Sequence, residues 1–349
     1  MSNKILIETV TDQQLWEKYL DFFAEANFLQ SSAWQNFQRT IGKKTWAIRV
    51  YQVKSQNIEQ TLALALVVAE KAKRAHYLTI AGGPLIYWKA NNSQEILLVL
   101  LEYLKKIAKE QKFCFLRLRP QAPTSQEFLE LFRQLGFKQA PMHLTADRTL
   151  QLDLSLSETA LLAQMRKNTR YEIRRAEKMM IKTKISQDPD EIKAFYEAQL
   201  DLARRQNFIP FAYQFLYQQF LAFLKNKQVS LIHSYLNDQW LASAFIIFYR
   251  REAVYHYGVS SLANAKLPGS YACQWAAIKE AKKRGLDFYN FWGISPPGDN
   301  KHRFAGVSLF KRGFGGQEVV YLPAQDYPFS QKYYLVRIFE LFRKKIRKL

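Results

Sequence analysis

Cysteine is all but absent. Only Cys114 and Cys273 occur in 349 residues, far apart and each inside an apolar stretch, which argues against a disulfide-stapled scaffold and against a thiolate metal cluster. Both are expected to be buried thiols. Histidine says little more: His76, His143, His233, His256 and His302 are scattered without ligand spacing, so no metal is expected, and only His302 falls in a segment with other signs of function. No apolar run approaches the roughly 20 residues that a membrane span needs. Met1 to Val10 lacks the long apolar core of a secretory signal, so a soluble, cytoplasmic protein is the expectation. Also missing are a Gly-x-Ser-x-Gly elbow, a Walker loop, a His-Glu-x-x-His pair and a dinucleotide fingerprint after the first strand, the signatures of the commoner hydrolase, nucleotide and zinc chemistries.

Acidic residues are the other shortage. Lysine and arginine outnumber aspartate and glutamate 51 to 30, a formal charge of +21. Such a surplus points to a polyanionic partner: nucleic acid, a diphosphate-bearing substrate or an anionic membrane surface. A solvated basic face would give the same composition.

The length, roughly twice that of a typical domain, predicts two units. No low-complexity linker divides them, so the boundary has to come from element order. Helical spacing covers Asp12 to Glu25, with Leu15, Tyr19, Phe22 and Phe23 on one face and Asp12 as cap. A short helix near Ser32 to Thr40 precedes strands at Thr45 to Tyr51, Thr61 to Glu70 and His76 to Ile80. Helix Ser93 to Glu110 leads to strand Phe113 to Arg119, helix Ser125 to Leu135 and strand Arg148 to Leu154. The second half repeats the order, with strands at Val229 to Leu236, Leu241 to Tyr249 and Glu252 to Val259, then helix Pro268 to Arg284 and strand Leu286 to Phe291. Helices Pro189 to Gln206 and Tyr213 to Asn226 precede that second meander. The stretches from Leu104 and from Ala277 are both basic helix ends passing into aromatic strands, which reads as duplication of one α/β unit. From Gln331 a last helix carries Leu335, Ile338, Phe339, Phe342 and Ile346 on one face and a basic end. It could lie on an anionic membrane. The simpler reading packs its apolar stripe on the protein body.

Three segments are denser than a plain fold requires. Arg166, Arg170 and Arg174, in Met165-Arg-Lys-Asn-Thr-Arg-Tyr-Glu-Ile-Arg-Arg, are spaced to line one face of a helix, and a row of forked donors suits phosphate. A solvated helix balanced by Glu172 and Glu177 is the plainer alternative. Trp292 to Gly306 is a Gly/Pro-rich loop off a strand end, where α/β sheets commonly bind ligands. Leu309-Phe-Lys-Arg-Gly-Phe-Gly-Gly316 sets Lys311 and Arg312 beside glycines that let backbone approach a ligand closely, or simply form a turn.

At these residues the chain resembles the FemABX family, the non-ribosomal peptidyl transferases that build peptidoglycan side chains. The resemblance runs through essentially the whole chain: Phe28-Leu-Gln-Ser-Ser-Ala-Trp-Gln-Asn-Phe-Gln, Gly82-Gly-Pro-Leu, Leu116-Arg-Leu-Arg-Pro, Leu135-Gly-Phe, the Arg166 to Lys178 stretch, Tyr289-Asn-Phe-Trp-Gly-Ile and Phe310-Lys-Arg-Gly-Phe-Gly-Gly. Each is modest alone; their order and spacing are specific. The resemblance implies an α/β (α+β) fold of two tandem acetyltransferase-like (GNAT-like) domains, each a mixed sheet flanked by helices: residues 1–147 joined by 322–349, and residues 148–321. It implies an aminoacyl-tRNA donor and a muramyl pentapeptide acceptor, UDP-linked or lipid-linked, with no cofactor and no metal. Lys311 takes the catalytic role, holding the tRNA end or stabilising the oxyanion. Arg166, Lys167, Thr169, Arg170, Tyr171, Arg174, Trp34, Gln38, Tyr257, Trp292, Phe310 and Arg312 fall to substrate binding, Arg170 foremost for the diphosphate. Two places depart from the family pattern: Gln38 stands where some relatives have a lysine, and Tyr87 where others have an acid. The first puts a second phosphate contact in doubt, although Arg39 or Lys43 could substitute; the second favours a substrate-assisted mechanism. Residues 189–226 are too short, and too broken by Pro210, for the coiled-coil arm of the large relatives.

Two other functions fit the same composition. An acyl-CoA-dependent N-acyltransferase shares the fold type, but the stretch from Val259 to Ser270 lacks its pyrophosphate loop. A non-catalytic RNA-binding or membrane-surface protein would need no Lys311.

Overall fold

The computed structural model describes residues 4–54, 58–206, 208–299 and 301–347. The chain forms two compact units, Met1–Asp147 with Val320–Leu349, and Arg148–Val319. Unit 1 opens with β1 (Ile5–Thr9), α1 (Gln13–Leu20), a 3-10 turn at Phe28–Gln30 and α2 (Ser32–Thr40). A meander follows, β2 (Thr45–Val53), β3 (Glu59–Lys71) and β4 (His76–Ala81), with the short β5 (Leu85–Ile86) after it. Helix α3 (Ser93–Gln111) leads to β6 (Phe115–Arg119), and α4 (Gln126–Gln134) to β7 (Lys138–Gln139).

Unit 2 begins with β8 (Arg148–Asp153), α5 (Glu158–Gln164), α6 (Lys167–Lys178) and β9 (Lys182–Ser186). Helices α7 (Ile192–Gln206) and α8 (Tyr213–Leu224) precede the second meander, β10 (Val229–Leu236), β11 (Gln239–Tyr249) and β12 (Glu252–Ser260). Then come α9 (Gly269–Lys283), β13 (Phe288–Gly293), α10 (Ala305–Arg312) and β14 (Gln317–Val320). The chain returns to unit 1 as β15 (Gln325–Pro328) and α11 (Lys332–Arg347).

The two sheets share one topology. Unit 1 orders its strands β1-β2-β3-β4-β6-β15-β7, with β5 on β3, and unit 2 orders them β9-β10-β11-β12-β13-β8-β14. In each, an antiparallel meander is joined by one parallel strand across a helix and then by an antiparallel strand from a distant segment. The repeat read in the sequence is therefore a repeat of topology, two mixed sheets flanked by helices.

Helices on both faces explain why the central strands are apolar without alternation. In β3, Ala63, Ala65 and Val67 meet Leu97, Leu100 and Leu104 of α3, while Leu64 and Leu66 meet Trp16 and Leu20 of α1. In β11, Ala242, Ala244, Ile246 and Phe248 face Cys273, Ala277, Ile278 and Ala281 of α9. Phe245, on the opposite side, touches Phe195 of α7 and Phe220 of α8. Both thiols are buried. Strand β15 is fixed by a buried fork, Arg117 donating to both carboxylate oxygens of Asp326 at 2.7 and 2.9 Å and to Glu340 of α11 at 2.6 Å.

Two expectations are corrected. Helix α1 ends at Leu20, and its inward residues are Trp16 and Leu20, followed by Phe23, whereas Leu15 and Phe22 are exposed. Trp16 sets the face, because its indole N–H donates to the Gln30 carbonyl at 2.8 Å. Most of the apolar stripe of α11 does not pack on the body: Tyr333 and Val336 pack beside Phe115, Phe339 lies half-buried beneath Arg74, and Leu335, Ile338, Phe342 and Ile346 point outward.

Candidate functional site

In unit 2 the parallel pair comes apart. Strands β12 and β13 pair only at Glu252↔Phe288, Ala253↔Tyr289 and Val254↔Asn290, yet they run on to Ser260 and Gly293. In unit 1 the matching strands β4 and β6 stay paired to their ends, Ala81↔Arg119. Two bulges accompany the opening. His256 is an extra residue in β12, since Tyr255 and Tyr257 oppose the adjacent Ile246 and Phe245 of β11. In β13 the register against β8 slips between Asn290 and Gly293, and Trp292 adopts φ +60°. Diverging strands leave backbone donors and acceptors without a ladder partner, and the carboxyl ends of such strands are where open sheets receive ligands.

Asn290 holds the distortion. Its buried side-chain oxygen accepts from the Trp292 N–H and the Thr149 hydroxyl, both at 2.7 Å, and its amide donates to Glu252 at 2.8 Å. The turn aims the Gly293 carbonyl at Lys311. Aromatic rings line the opening: Tyr255 against Phe291 and His256 against Trp292, both edge-on, at 6.4 and 5.8 Å between centroids. Burial pushes His256 down to about 3 and raises the Tyr255 and Tyr257 hydroxyls well above their usual value. Burial thus favours the neutral ring of His256 at pH 7.

Lys311 sits in the last turn of α10, buried, its ammonium donating to Gly293 O at 2.8 Å and lying 5.6 Å from the Tyr255 ring centre. Among the described residues no carboxylate forms an ion pair with it. Burial alone pushes it down to about 7. A merely structural link to a carbonyl does not require an uncompensated buried ammonium, and strongly perturbed groups at an opening mark functional sites. Arg312, next along, donates to Ser295 O and to Glu318, each at 2.6 Å. These two side chains grip the loop that leaves β13.

Helices α6 and α10 are locked together at their ends. The Arg166 N–H donates to Gly313 O at 2.9 Å and its guanidinium to Leu309 O at 2.8 Å. A Cβ at Gly313 would stand 2.4 Å from Thr169 Oγ1. One at Gly316 would stand 2.4 Å from Gln151 O. The glycine run thus admits the chain's own backbone and α6. Thr169 is fully buried there, its hydroxyl without a hydrogen-bond partner among the described residues.

The structure brings Lys311, Arg312, Phe310, Trp292, Arg166 and Thr169 together, with Tyr257 linked to Trp292 through the His256 ring. Phe310 packs on Tyr271 and Phe314 beneath α10. Arg170 turns back on the end of α5, donating to Ala163 O at 3.2 Å and to Met165 O. Lys167, Tyr171 and Arg174 are exposed on α6. Trp34 and Gln38 lie on α2 of unit 1, Trp34 edge-on to Phe28 and Gln38 buried with its carbonyl oxygen unpartnered. Sequence reading missed Tyr255, Gly293 and the role of Asn290. The one available signal was the polar Asn290 inside the aromatic run Phe288-Tyr-Asn-Phe-Trp.

Two units of this topology, one opened beside a buried lysine, define a tandem N-acyltransferase-like protein. The chain belongs to the FemAB family, whose model matches residues 11–233 and 218–340. Aminoacyltransferase FemA of Staphylococcus aureus is 35% identical over 86 residues, 25% of this chain and 20% of FemA. The chain thus spans one fifth of the length of that curated relative. The crystal structure of FemX matches with a TM-score of 0.82 at 17% identity, over 96% of this chain and 100% of its own. A tandem GNAT protein from the clavulanic acid biosynthesis pathway matches at 0.57 and 9% identity, over 94% and 99%. The last two likenesses are of fold.

Proposed function

We propose that the protein transfers an amino acid from aminoacyl-tRNA to the stem-peptide amine of a muramyl pentapeptide, UDP-linked or lipid-linked, in peptidoglycan synthesis. The observation that carries this reading is Lys311: a buried ammonium with no counter-ion among the described residues, at the open ends of parted strands, in a chain of the FemAB family. The acceptor amine attacks the ester carbonyl, whose oxygen gains negative charge as the carbon becomes tetrahedral. Lys311 supplies preorganised positive charge to that oxygen or to the neighbouring tRNA phosphate. Collapse forms the peptide bond and expels the ribose oxygen, which takes up the proton lost by the amine. The chain's own residues need form no covalent bond. Arg166, Lys167, Arg170 and Arg174 along α6 serve the precursor diphosphate. The charge of +21 suits tRNA. Charged tRNA and the precursor place the reaction in the cytoplasm or at the inner membrane face.

The test is incubation with a labelled aminoacyl-tRNA pool and muramyl pentapeptide, followed by mass analysis. The stem peptide should gain an aminoacyl residue, and Lys311→Met should abolish the gain while precursor binding persists. Product from acyl-CoA but not from charged tRNA would move the chain to the acyl-CoA reading. Binding without product from either donor would leave a non-catalytic binder.

A further inference from the structure

Helix α11 presents an apolar row that the protein leaves uncovered. Leu335, Ile338, Phe342 and Ile346 recur at intervals of three and four and are 72, 65, 64 and 64% exposed, so they share one face. The inward residues are Tyr333 and Val336, and Glu340 is engaged by Arg117. The same helix carries Lys332, Arg337, Arg343, Lys344, Lys345 and Arg347 against that one acid. Beside its second half the β3–β4 turn brings up Lys71, Lys73 and Arg74, with the Arg74 guanidinium 3.7 Å from the Phe339 ring centre. Between turn and helix lies a groove of about 330 Å³, lined by Arg74, Phe339, Phe342, Arg343 and Ile346.

We infer that this face of unit 1 docks on an anionic phospholipid surface. The groove has an apolar floor between two guanidinium groups, which fits a lipid phosphate held above the start of its acyl chains. Apolar residues enter the interface while the basic residues meet the headgroups. Charge decides between occupants. A second copy in an isologous contact would set these cations against themselves. Nucleic acid would match the charge and leave the aliphatic row wet. No described helix is long and apolar enough to cross a membrane, so the element lies on the surface. The inference does not rest on the transfer reading and is tested without donor or acceptor.

The full chain is co-sedimented with vesicles of phosphatidylglycerol in phosphatidylcholine and with phosphatidylcholine alone. It should bind the anionic vesicles at least ~10-fold more tightly and lose most of that binding at high salt. Ile338→Glu with Phe342→Glu, both at exposed positions, should weaken binding at least ~10-fold with unchanged circular dichroism. Arg74→Gln with Arg343→Gln should weaken it several-fold. Equal binding to both vesicle types, or undiminished binding by the Ile338/Phe342 variant, overturns the inference. So does a concentration-dependent dimer that this variant abolishes.

Discussion

Replacing Lys311 by methionine should make the protein more stable in acid and less stable in base. The Lys311 ammonium is buried, donates to Gly293 O, and is pushed from the ordinary 10.5 down to about 7. The unfolded chain keeps the ordinary value. Below pH 7 both states hold the proton and the native state bears the whole desolvation penalty, on the order of 5 kcal/mol. Between about 7 and 10.5 the unfolded chain retains a proton that the native state has released, so wild-type stability rises with pH, and above that range the penalty is gone. Methionine fills nearly the same volume without charge, but forfeits the hydrogen bond to Gly293, about 1 kcal/mol. The variant should therefore gain up to ~4 kcal/mol at pH 6, fall to about parity at pH 10, where part of the penalty persists, and turn to a loss of ~1 kcal/mol only above about pH 11. Urea unfolding of both proteins at several pH values, with amide exchange on α10 and β13 to assign the change to unit 2, reads the difference directly. Every other titrating group is common to the pair and cancels. Two parallel curves, with a constant gap from pH 6 to 10, would refute the claim that Lys311 is held in a desolvated site.

On the proposed mechanism, kcat/KM needs Lys311 charged and the acceptor amine neutral. Between pH 7 and 9 the first fraction falls as the second rises, so the rate should stay within about threefold, whereas a spectator Lys311 would let it climb ~100-fold; initial rates corrected for ester hydrolysis distinguish the two. Gly313→Ala drives a methyl to 2.4 Å from Thr169 Oγ1 and should destabilise unit 2 by about 1–3 kcal/mol. Adding Thr169→Ala should recover part of that loss in a denaturation double-mutant cycle, and strict additivity would contradict the packing of α6 on α10.

Periodicity made the meanders, α3 and α9 legible, because long elements packed on both faces write their spacing into the chain. It could not show α10, whose eight residues carry Gly306 inside and Gly313 at the end, or β15. Gln-Asp-Tyr-Pro has no strand pattern and is held by Arg117, remote in sequence. The same limit applies at the site. The spacing of Arg166, Arg170 and Arg174 does place them on one helix face, yet Arg166 and Arg170 spend donors on carbonyls of Leu309, Ala163 and Met165. Which carbonyls come near is a tertiary fact. Lys311 was reached through family resemblance; its burial depends on Gly293 and Tyr255, which no local pattern brings to α10.

A duplicated fold need not give duplicated chemistry, and the two sheets show how a single scaffold diverges. Keeping β4 and β6 zipped to Ala81↔Arg119 satisfies the backbone of unit 1 internally. Unit 2 gives up the equivalent pairs after Val254↔Asn290, adds a bulge on each side of the opening and buries the Lys311 ammonium next to it. Each of these is destabilising in isolation, and local strain of this kind persists where the surrounding structure and a ligand over-determine it. On the proposed function, unit 2 is the half that meets the reacting carbonyl. Among the described residues the paired strands β4 and β6 of unit 1 offer no such opening. The buried Gln35 Nε2 and Gln38 Oε1 of α2 have no hydrogen-bond partner among the described residues, a cost that a group accepting from the first and donating to the second would remove.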